Sequence, residues 1–509
     1  MKVEQCVKHV NDPRGNNLSR AFWAITPVFC FLCAIALMAT FLLRYKSNPT
    51  RINVDTNFGP ISEIEFPAVT FCNPNFITDS QVSALVKSLE IDPESYNIST
   101  DDLSQRIKYT AAFTNPIENF NYSELQMVQD LLLDNRFDVQ LTMKKLMFPC
   151  TKLLYRCRWE GVVVDCKELF TVSETYQGYC CSFNIQKPIS SSTTSKAKKI
   201  RRTQFFGPQM GLSVILNPLI EKNAMTSVNS EGIKILVNEF NLYPSTRTIE
   251  RMLPHRQETY VEIRPERTDC SSTVRALPIS DRGCVFSNEH ELQYFPNYME
   301  ENCLVECNMN LYIKTCECLP YFFYNKDNVE ICNFKSIECI VENWNLLRNV
   351  DSNNGSLKCN CPSQCNGQAY TLRISSTDLV VGMESVLDPF YFNITNGHMT
   401  VHVYFVSQVY RVFIRSLLTN FISLIANLGG VYSLLIGMSV LSAFEIIYFF
   451  SVRLYLNYRS VKNNVLKPKT FSQRSDNVKI SSLKVPRLDT AKSMASDISS
   501  LRMSAFSHY

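Results

Sequence analysis

Cysteine is the residue type with the richest potential chemistry in this chain, which has 20 cysteines but only 6 histidines in 509 residues. Ten cysteines lie between Cys284 and Cys365, and the spacings Cys303-x3-Cys307 and Cys316-x-Cys318 are compatible with a zinc site. The alternative is a set of disulfides, which is typical of domains outside the cell. Spacing alone does not define which cysteines pair.

A second group of residues with chemical potential lies near the C-terminus, in a segment whose only charged residue is Glu445. A carboxylate at membrane depth costs several kcal/mol unless it is hydrated or paired. The same segment contains Gly437-Met-Ser439, whose carbonyl and hydroxyl oxygens could bind a partly dehydrated cation. Glycine and serine are also common packing residues in membrane helices, and Glu445 could reach the membrane boundary, so both interpretations stay open.

The composition argues against two other classes of function. The histidines lie at positions 9, 255, 290, 398, 402 and 508 and form no nucleophile–base or metal-binding motif. The formal net charge is only +4, which gives no indication of nucleic-acid binding. We therefore expect that the protein is not an enzyme and predict no cofactor and no metal site.

Two long apolar segments must position the chemically interesting residues. Residues 21–43 contain no charge and lie between Arg20 and Arg44, which predicts a retained transmembrane helix. As one straight helix, the segment around Glu445 would be about 55 Å long, far longer than the ~30 Å hydrocarbon core. We expect it to tilt, protrude or break, with the break at one of three glycines, Gly429, Gly430 or Gly437.

Charge and glycosylation sequons indicate the orientation of the chain in the membrane. Residues 1–20 carry four Lys/Arg against two acids, and residues 451–509 carry eleven against three. The positive-inside rule therefore predicts that both termini are cytoplasmic and that the protein is a multi-pass protein of the plasma membrane. The segment between the spans contains seventeen cysteines and the sequons at Asn97, Asn121, Asn354 and Asn393, as expected for an oxidised ectodomain.

The sequence thus predicts five successive parts and a disulfide-rich α+β ectodomain. Apolar runs at 66–71, 211–216 and 401–409 favour strands, whereas residues 78–147 favour helices. The predicted parts are a cytoplasmic N-terminus (1–20), transmembrane helix 1 (21–43), an extracellular domain (44–411), a discontinuous transmembrane segment 2 (412–450) and a largely disordered cytoplasmic tail (451–509).

Motifs along most of the chain carry a family resemblance. They are Phe66-Pro-Ala-Val-Thr-Phe-Cys-Asn73 soon after the first span, Cys157-Arg-Trp-Glu-Gly161, the cysteine cluster with Cys359-x-Cys361-Pro-x2-Cys365, and Asn427-Leu-Gly-Gly430 followed by Gly437-Met-Ser-Val-Leu-Ser-x2-Glu445. In this order, the motifs resemble those of the degenerin/epithelial sodium channel family. The details look most like the insect pickpocket branch.

The resemblance implies a trimer with a clenched-hand ectodomain, including a finger-like region at about 78–184 and a cysteine-rich thumb-like region at about 284–365. It also implies seven disulfides: Cys72–Cys180, Cys157–Cys166, Cys284–Cys365, Cys303–Cys361, Cys307–Cys359, Cys316–Cys339 and Cys318–Cys332. No partner is implied for Cys150, Cys181 or Cys270.

The resemblance further implies roles for residues of the second segment. The selectivity filter would comprise Gly437, Met438 and Ser439, and Glu445 would form an acidic ring at the inner pore. Ala426 aligns with the position at which bulkier side chains hold the pore of family members open. The other pore or gating positions are Asn427, Gly430 and Ser442.

These features lead us to expect a sodium-selective, amiloride-sensitive, voltage-insensitive channel subunit, gated through its ectodomain, with a sensory role. Its partners would be sodium ions, membrane lipid, and identical or related subunits. The family's cytoplasmic His-Gly dipeptide is represented only by His9-Val10, and Ser433 replaces a usual glycine. The alternatives are therefore a non-conducting or obligate partner subunit, a sensory co-receptor, or a different two-span trimeric ligand-gated channel.

Overall fold

A computed structural model describes residues 17–47, 49–90, 93–96, 98–117, 120–187, 199–218, 221, 224–325, 329–348, 359–382, 387–437, 444, 447–456 and 458–459. Several residues with predicted roles lie outside these described residues: His9, Asn97, Asn354, Met438, Ser439, Ser442 and Glu445.

Two sheets form the centre of the ectodomain. The larger sheet has the strand order β1-β15-β12-β14-β8-β4-β5, with β13 also paired to β12, and the smaller sheet has the order β11-β10-β2-β7-β6. The strands are β1 (Thr50–Pro60), β2 (Ala68–Cys72), β3 (Asn75–Ile77), β4 (Leu154–Trp159), β5 (Val162–Val164), β6 (Phe170–Thr175), β7 (Gly178–Phe183), β8 (Leu212–Leu216), β9 (Met225–Thr226), β10 (Gly232–Asn238), β11 (Ile249–Pro254), β12 (Gln257–Cys270), β13 (Gly367–Asp378), β14 (Met399–Phe405) and β15 (Val409–Leu417).

Continuous apolar and β-branched runs explain the buried strands. All residues of β8, β10 and β14 are buried, as expected for strands covered on both faces. The sheets meet around Phe66, whose ring centroid lies 5.0 Å from those of Trp159 and Phe405 and 5.9 Å from that of Phe183. This aromatic contact lies in the motif that follows the first span.

Short amphipathic helices surround the sheets. Asp138, Ser99 and Thr78 begin three of them, each accepting a hydrogen bond from a backbone N–H in the first turn. The helices of the ectodomain are Asp79–Val86, Thr100–Lys108, Leu125–Asp134, Val139–Leu146, Cys150–Leu153, Cys166–Leu169, Ser272–Arg275, Ile279–Arg282, Glu300–Cys316, Ile337–Glu342 and Trp344–Arg348. The helical region predicted at 78–147 is present, but the rest of the predicted finger-like region, up to residue 184, contributes β4–β7 to the sheets.

Among the described residues, eight disulfides stabilise the ectodomain. All seven pairs implied by the resemblance are present, and an eighth disulfide joins Cys150 to Cys181. The four cysteines of the zinc alternative are all in disulfides, so they do not form that site. Among the described residues, the free thiols are Cys30, Cys33 and Cys270.

Two apolar helices lie beyond the sheets. The N-terminal helix spans Asn17–Ser47, and its part from Arg20 is long and apolar enough to cross a membrane. The C-terminal helix, Phe421–Ile436, is shorter. Strand β15 continues to Leu417, so the second apolar segment starts after this strand rather than at residue 412. The predicted start was too early because the apolar residues of this strand resemble those of a membrane-spanning segment.

Candidate functional site

The C-terminal helix presents a face of small residues. Ala426 and Gly430 are four positions apart and therefore share one face of the helix. Ala426, Asn427 and Gly430 are exposed in the single chain, and a Cβ atom added at Gly430 would have no neighbour within 4 Å. Such a face permits the close approach of another helix.

The helix ends at Gly437, the first residue of the predicted selectivity filter. Gly437 adopts the left-handed conformation with φ of 69° and ψ of 21°, and its N–H donates to the Ser433 carbonyl at 3.1 Å. Glycine tolerates this conformation, whereas an L side chain would be strained. The backbone therefore leaves the helical path immediately before Met438 and Ser439, which lie outside the described residues.

The two apolar helices contact each other within one chain. The Tyr432 hydroxyl of the C-terminal helix donates to the Met38 sulfur of the N-terminal helix at 3.1 Å. The C-terminal helix is thus supported on one side by its own chain, while the face of Ala426 and Gly430 remains exposed.

A two-stranded ribbon connects both helices to the large sheet. Strand β1 follows the N-terminal helix and pairs antiparallel with β15, which precedes the C-terminal helix, from Thr50 opposite Leu417 to Pro60 opposite Val409. The Leu418 N–H also donates to the Pro49 carbonyl at 2.8 Å. Because β15 in turn pairs in parallel with β12, hydrogen-bonded strands connect the rest of the large sheet to both helices.

The large sheet contains a buried cluster that sequence inspection missed. His402 on β14 lies between Ser213 on β8 and Glu258 on β12, with its Nδ1 2.8 Å from the serine Oγ and its Nε2 2.8 Å from a glutamate oxygen. The Tyr391 hydroxyl also donates to Glu258. Ser213 is 0% exposed and His402 is 2% exposed, so a substrate has no access to a serine–histidine pair that could otherwise suggest hydrolysis.

Despite burial, hydrogen bonds within this cluster lower the pKa of Glu258. Burial acts to raise the pKa of Glu258, but the hydrogen bonds from His402 and Tyr391 outweigh burial and leave that pKa below its usual value. Next to it, Arg158 pairs with Asp388 at 2.6 Å and, with a backbone N–H, lowers the pKa of Asp388 despite the opposing effect of burial. Hydrogen bonds of this cluster therefore join β8, β12 and β14 to the loop before β14.

A cavity of about 400 Å³ lies between the small sheet and the cysteine-rich helices. Its walls include the aromatic rings of Tyr243, Phe323 and Trp344. Lys234 and Glu250 also line it and form an ion pair at 3.2 Å. This mixture of apolar walls and a few polar groups is typical of ligand sites, and no sequence motif indicated it.

Of the four predicted glycosylation sites, two lie among the described residues. Asn121 begins a short 3-10 helix, and Asn393 follows the loop that contacts the buried cluster. Both residues are exposed, as attachment of a glycan requires.

Comparison with known proteins establishes the family. The model of the family described as "Amiloride-sensitive sodium channel" matches residues 5–449. "Sodium channel protein Nach" of Drosophila ananassae is 35% identical over 454 residues, which cover 89% of this chain and 85% of that protein. The Nach protein of Drosophila melanogaster is 32% identical over 89% of this chain and 86% of its own. "Pickpocket protein 28" of Drosophila melanogaster is 23% identical over 87% of this chain and 76% of its own.

These matches confirm the resemblance read from the motifs. They cover the N-terminal helix, both sheets, the cysteine-rich region and the C-terminal helix in one alignment range. The chain belongs to the amiloride-sensitive sodium channel family.

Proposed function

We propose that this chain is a subunit of a sodium-selective, amiloride-sensitive, voltage-insensitive cation channel that is gated through its ectodomain and serves a sensory role. The observation that carries the proposal is the end of the C-terminal helix at Gly437. This residue lies in the range that the family model matches and begins the motif that resembles the family's pore signature. Non-helical backbone at membrane depth is tolerated where it lines a water-filled path.

The proposed ion path is built from three copies of the second segment. Gly437, Met438 and Ser439 of each copy form the filter, where carbonyl and hydroxyl oxygens replace part of the hydration shell of Na⁺. Glu445 of each copy adds a negative ring that favours cations over anions. Both termini are on the cytoplasmic side of the plasma membrane.

The proposed gating movement passes through the ribbon of β1 and β15. A ligand in the cavity beside Tyr243, or another stimulus at the ectodomain, would shift the sheets. Since both membrane helices leave the ribbon directly, a small shift of β15 is transmitted to the face that holds Ala426 and Gly430.

The test is two-electrode recording in oocytes that express the full chain, alone and with related subunits. We expect a current that reverses near the sodium equilibrium potential, is blocked by amiloride and shows no voltage-dependent gating. The matched variants are Gly437→Ala, which forces a side chain into the left-handed conformation, and Gly397→Ala, where the nearest atoms to an added Cβ lie at an ordinary 3.8 Å. Loss of selectivity in both variants, or in neither, would contradict the proposed filter.

A non-conducting partner subunit is the second candidate, and the sequence at His9-Val10 favours it because the expected glycine is missing. This candidate predicts no current from the chain alone despite normal surface biotinylation. It also predicts altered current or surface density of a related subunit on co-expression. Family membership sets aside the third possibility, an unrelated two-span channel.

A further inference from the structure

Three cysteine sulfurs lie together at the base of the cysteine-rich region. Cys270, the last residue of β12, is a free thiol beside the Cys284–Cys365 disulfide, and the three Sγ atoms all lie within 4.8 Å of one another. The Cys270 thiol donates to the Cys365 carbonyl at 3.3 Å. The thiol is therefore next to a disulfide that it could attack.

The surroundings hold this cluster in place. Cys284 and Cys365 are 0% and 1% exposed, and backbone hydrogen bonds connect Val285 to both Ser363 and Cys365 at 2.9 and 2.8 Å. The buried Arg282 guanidinium donates to the Cys284 carbonyl at 2.8 Å. Because these hydrogen bonds hold the backbone around the disulfide in place, the fold itself keeps the three sulfur atoms close together.

We propose that Cys270 and the Cys284–Cys365 disulfide form a thiol–disulfide exchange site. Cys270 loses its proton, its thiolate attacks the sulfur of Cys365, and a Cys270–Cys365 bond forms while the Cys284–Cys365 bond breaks. The electron pair of the broken bond leaves with the Cys284 sulfur, which takes up a proton. One thiol and one disulfide are present before and after, so the step needs no oxidant or reductant.

The exchange would change which parts of the fold are joined covalently. Cys270 is paired with Arg415 on β15, and the Ser271 N–H donates to the Arg415 carbonyl at 3.0 Å. Before exchange, the disulfide closes the base of the cysteine-rich region. Afterwards, a disulfide ties that region to the end of β12, which pairs with β15, the strand that precedes the C-terminal helix. The chemistry itself does not rest on the proposed ion conduction.

Burial and nearby charges set the pKa of the Cys270 thiol and thereby affect the rate of thiol–disulfide exchange. Burial raises the pKa of this thiol, and Asp269 acts in the same direction. Arg415, Arg282 and Arg275 oppose this effect without cancelling it. The thiolate is the nucleophile, and below the pKa of Cys270 its fraction rises about tenfold for each unit by which the pH increases. The rate of exchange is expected to rise in the same proportion.

The decisive experiment uses the full chain, purified from membranes without reductant. The protein is incubated at pH 7 and at pH 9, quenched with acid, alkylated and digested, and the disulfide-linked peptides are identified by mass spectrometry. We expect Cys270–Cys365 peptides with alkylated Cys284, forming faster at pH 9. Cys284–Cys365 alone at both pH values, or a disulfide between Cys270 residues of two subunits, would overturn the proposal.

Two variants provide an independent measurement on the same cluster. In Cys284→Ser, Cys270 and Cys365 are expected to form a disulfide, so that eight disulfides remain. In Cys270→Ser/Cys284→Ser, Cys365 has no partner. One more thiol than in Cys284→Ser should therefore react with maleimide. If Cys365 reacts with maleimide to the same extent in both variants, Cys270 does not form a disulfide with it.

Discussion

At the scale of single residues, small side chains on the C-terminal helix determine how closely helices can approach. Ala426 and Gly430 form an exposed face, while the other side of the helix contacts the N-terminal helix through Tyr432. The sequence indicated both residues through the family motif. It could not indicate which side of the helix is already covered, because that depends on packing.

Replacing Ala426 tests this face directly. We expect Ala426→Val to give constitutive current, because the larger side chain prevents the close helix approach of a closed pore. Ala426→Gly is the matched control and should close like the unchanged channel. A valine variant that reaches the cell surface but stays closed would refute the proposed gating position.

A hydrogen-bonded polar cluster in the large sheet is the second feature at this scale. Ser213, Glu258 and His402 come from three strands and are far apart in sequence, so no spacing rule could bring them together. The folded sheet does so because β8 and β12 lie on either side of β14. The sequence therefore did not reveal this cluster.

The lowered pKa of Glu258 gives a prediction with a defined sign. The ionised carboxylate stabilises the fold fully above the ordinary carboxyl pKa of 4.5, and this contribution is lost as the pH falls through the lower folded value. We expect Glu258→Gln to lower the free energy of unfolding at pH 7 by about 1–2 kcal/mol, with a smaller difference at pH 3.5.

Thermal unfolding of the detergent-solubilised protein at the two pH values measures this effect. The control is Glu262→Gln on the same strand, where the carboxylate has only a long 3.5 Å hydrogen bond to the Tyr404 hydroxyl. An equal destabilisation of both variants at both pH values would exclude the proposed role of ionised Glu258.

At the scale of elements, strand β7 shows why one disulfide escaped sequence reasoning. Cys180 and Cys181 are adjacent, and successive side chains of a strand point to opposite faces of the sheet. Cys180 therefore bonds to Cys72 and Cys181 bonds to Cys150 from the other side. The family resemblance implied the other seven pairs but no partner for Cys150 or Cys181.

The additional bridge should contribute measurably to stability. It closes a loop over a sequence separation of 31 residues, and removing a disulfide of this kind costs about 2–4 kcal/mol. We expect Cys150→Ser, Cys181→Ser and the double variant to lose the same stability in thermal unfolding, since each breaks the same bond. Cys33→Ser, which removes a free thiol, should have no such effect. Fully additive losses in the double variant would contradict the bond.

At the scale of the whole molecule, the proposed channel requires further subunits. The C-terminal helix packs against one helix of its own chain and leaves its small-residue face exposed. Because two helices cannot enclose a water-filled path, the proposed ion path requires several subunits. The motifs suggested three subunits, but the fold of one chain is compatible with identical or related partners.

Counting subunits at the cell surface tests this assembly. A fluorescently tagged chain should bleach in up to three steps when expressed alone, and in fewer tagged steps when an untagged related subunit is added. A monomeric membrane protein with the same tag provides the control. A maximum of one or two steps for the chain alone would show that it does not form a homotrimer.

Strand β12 has a mechanical consequence for the molecule. It pairs with β13 over twelve residues on one edge and with β14 and then β15 on the other. A slip by one residue would turn every side chain of β12 to the opposite face, so the strand cannot slide past its neighbours. Its backbone amides should therefore be among the last in the ectodomain to exchange with deuterium.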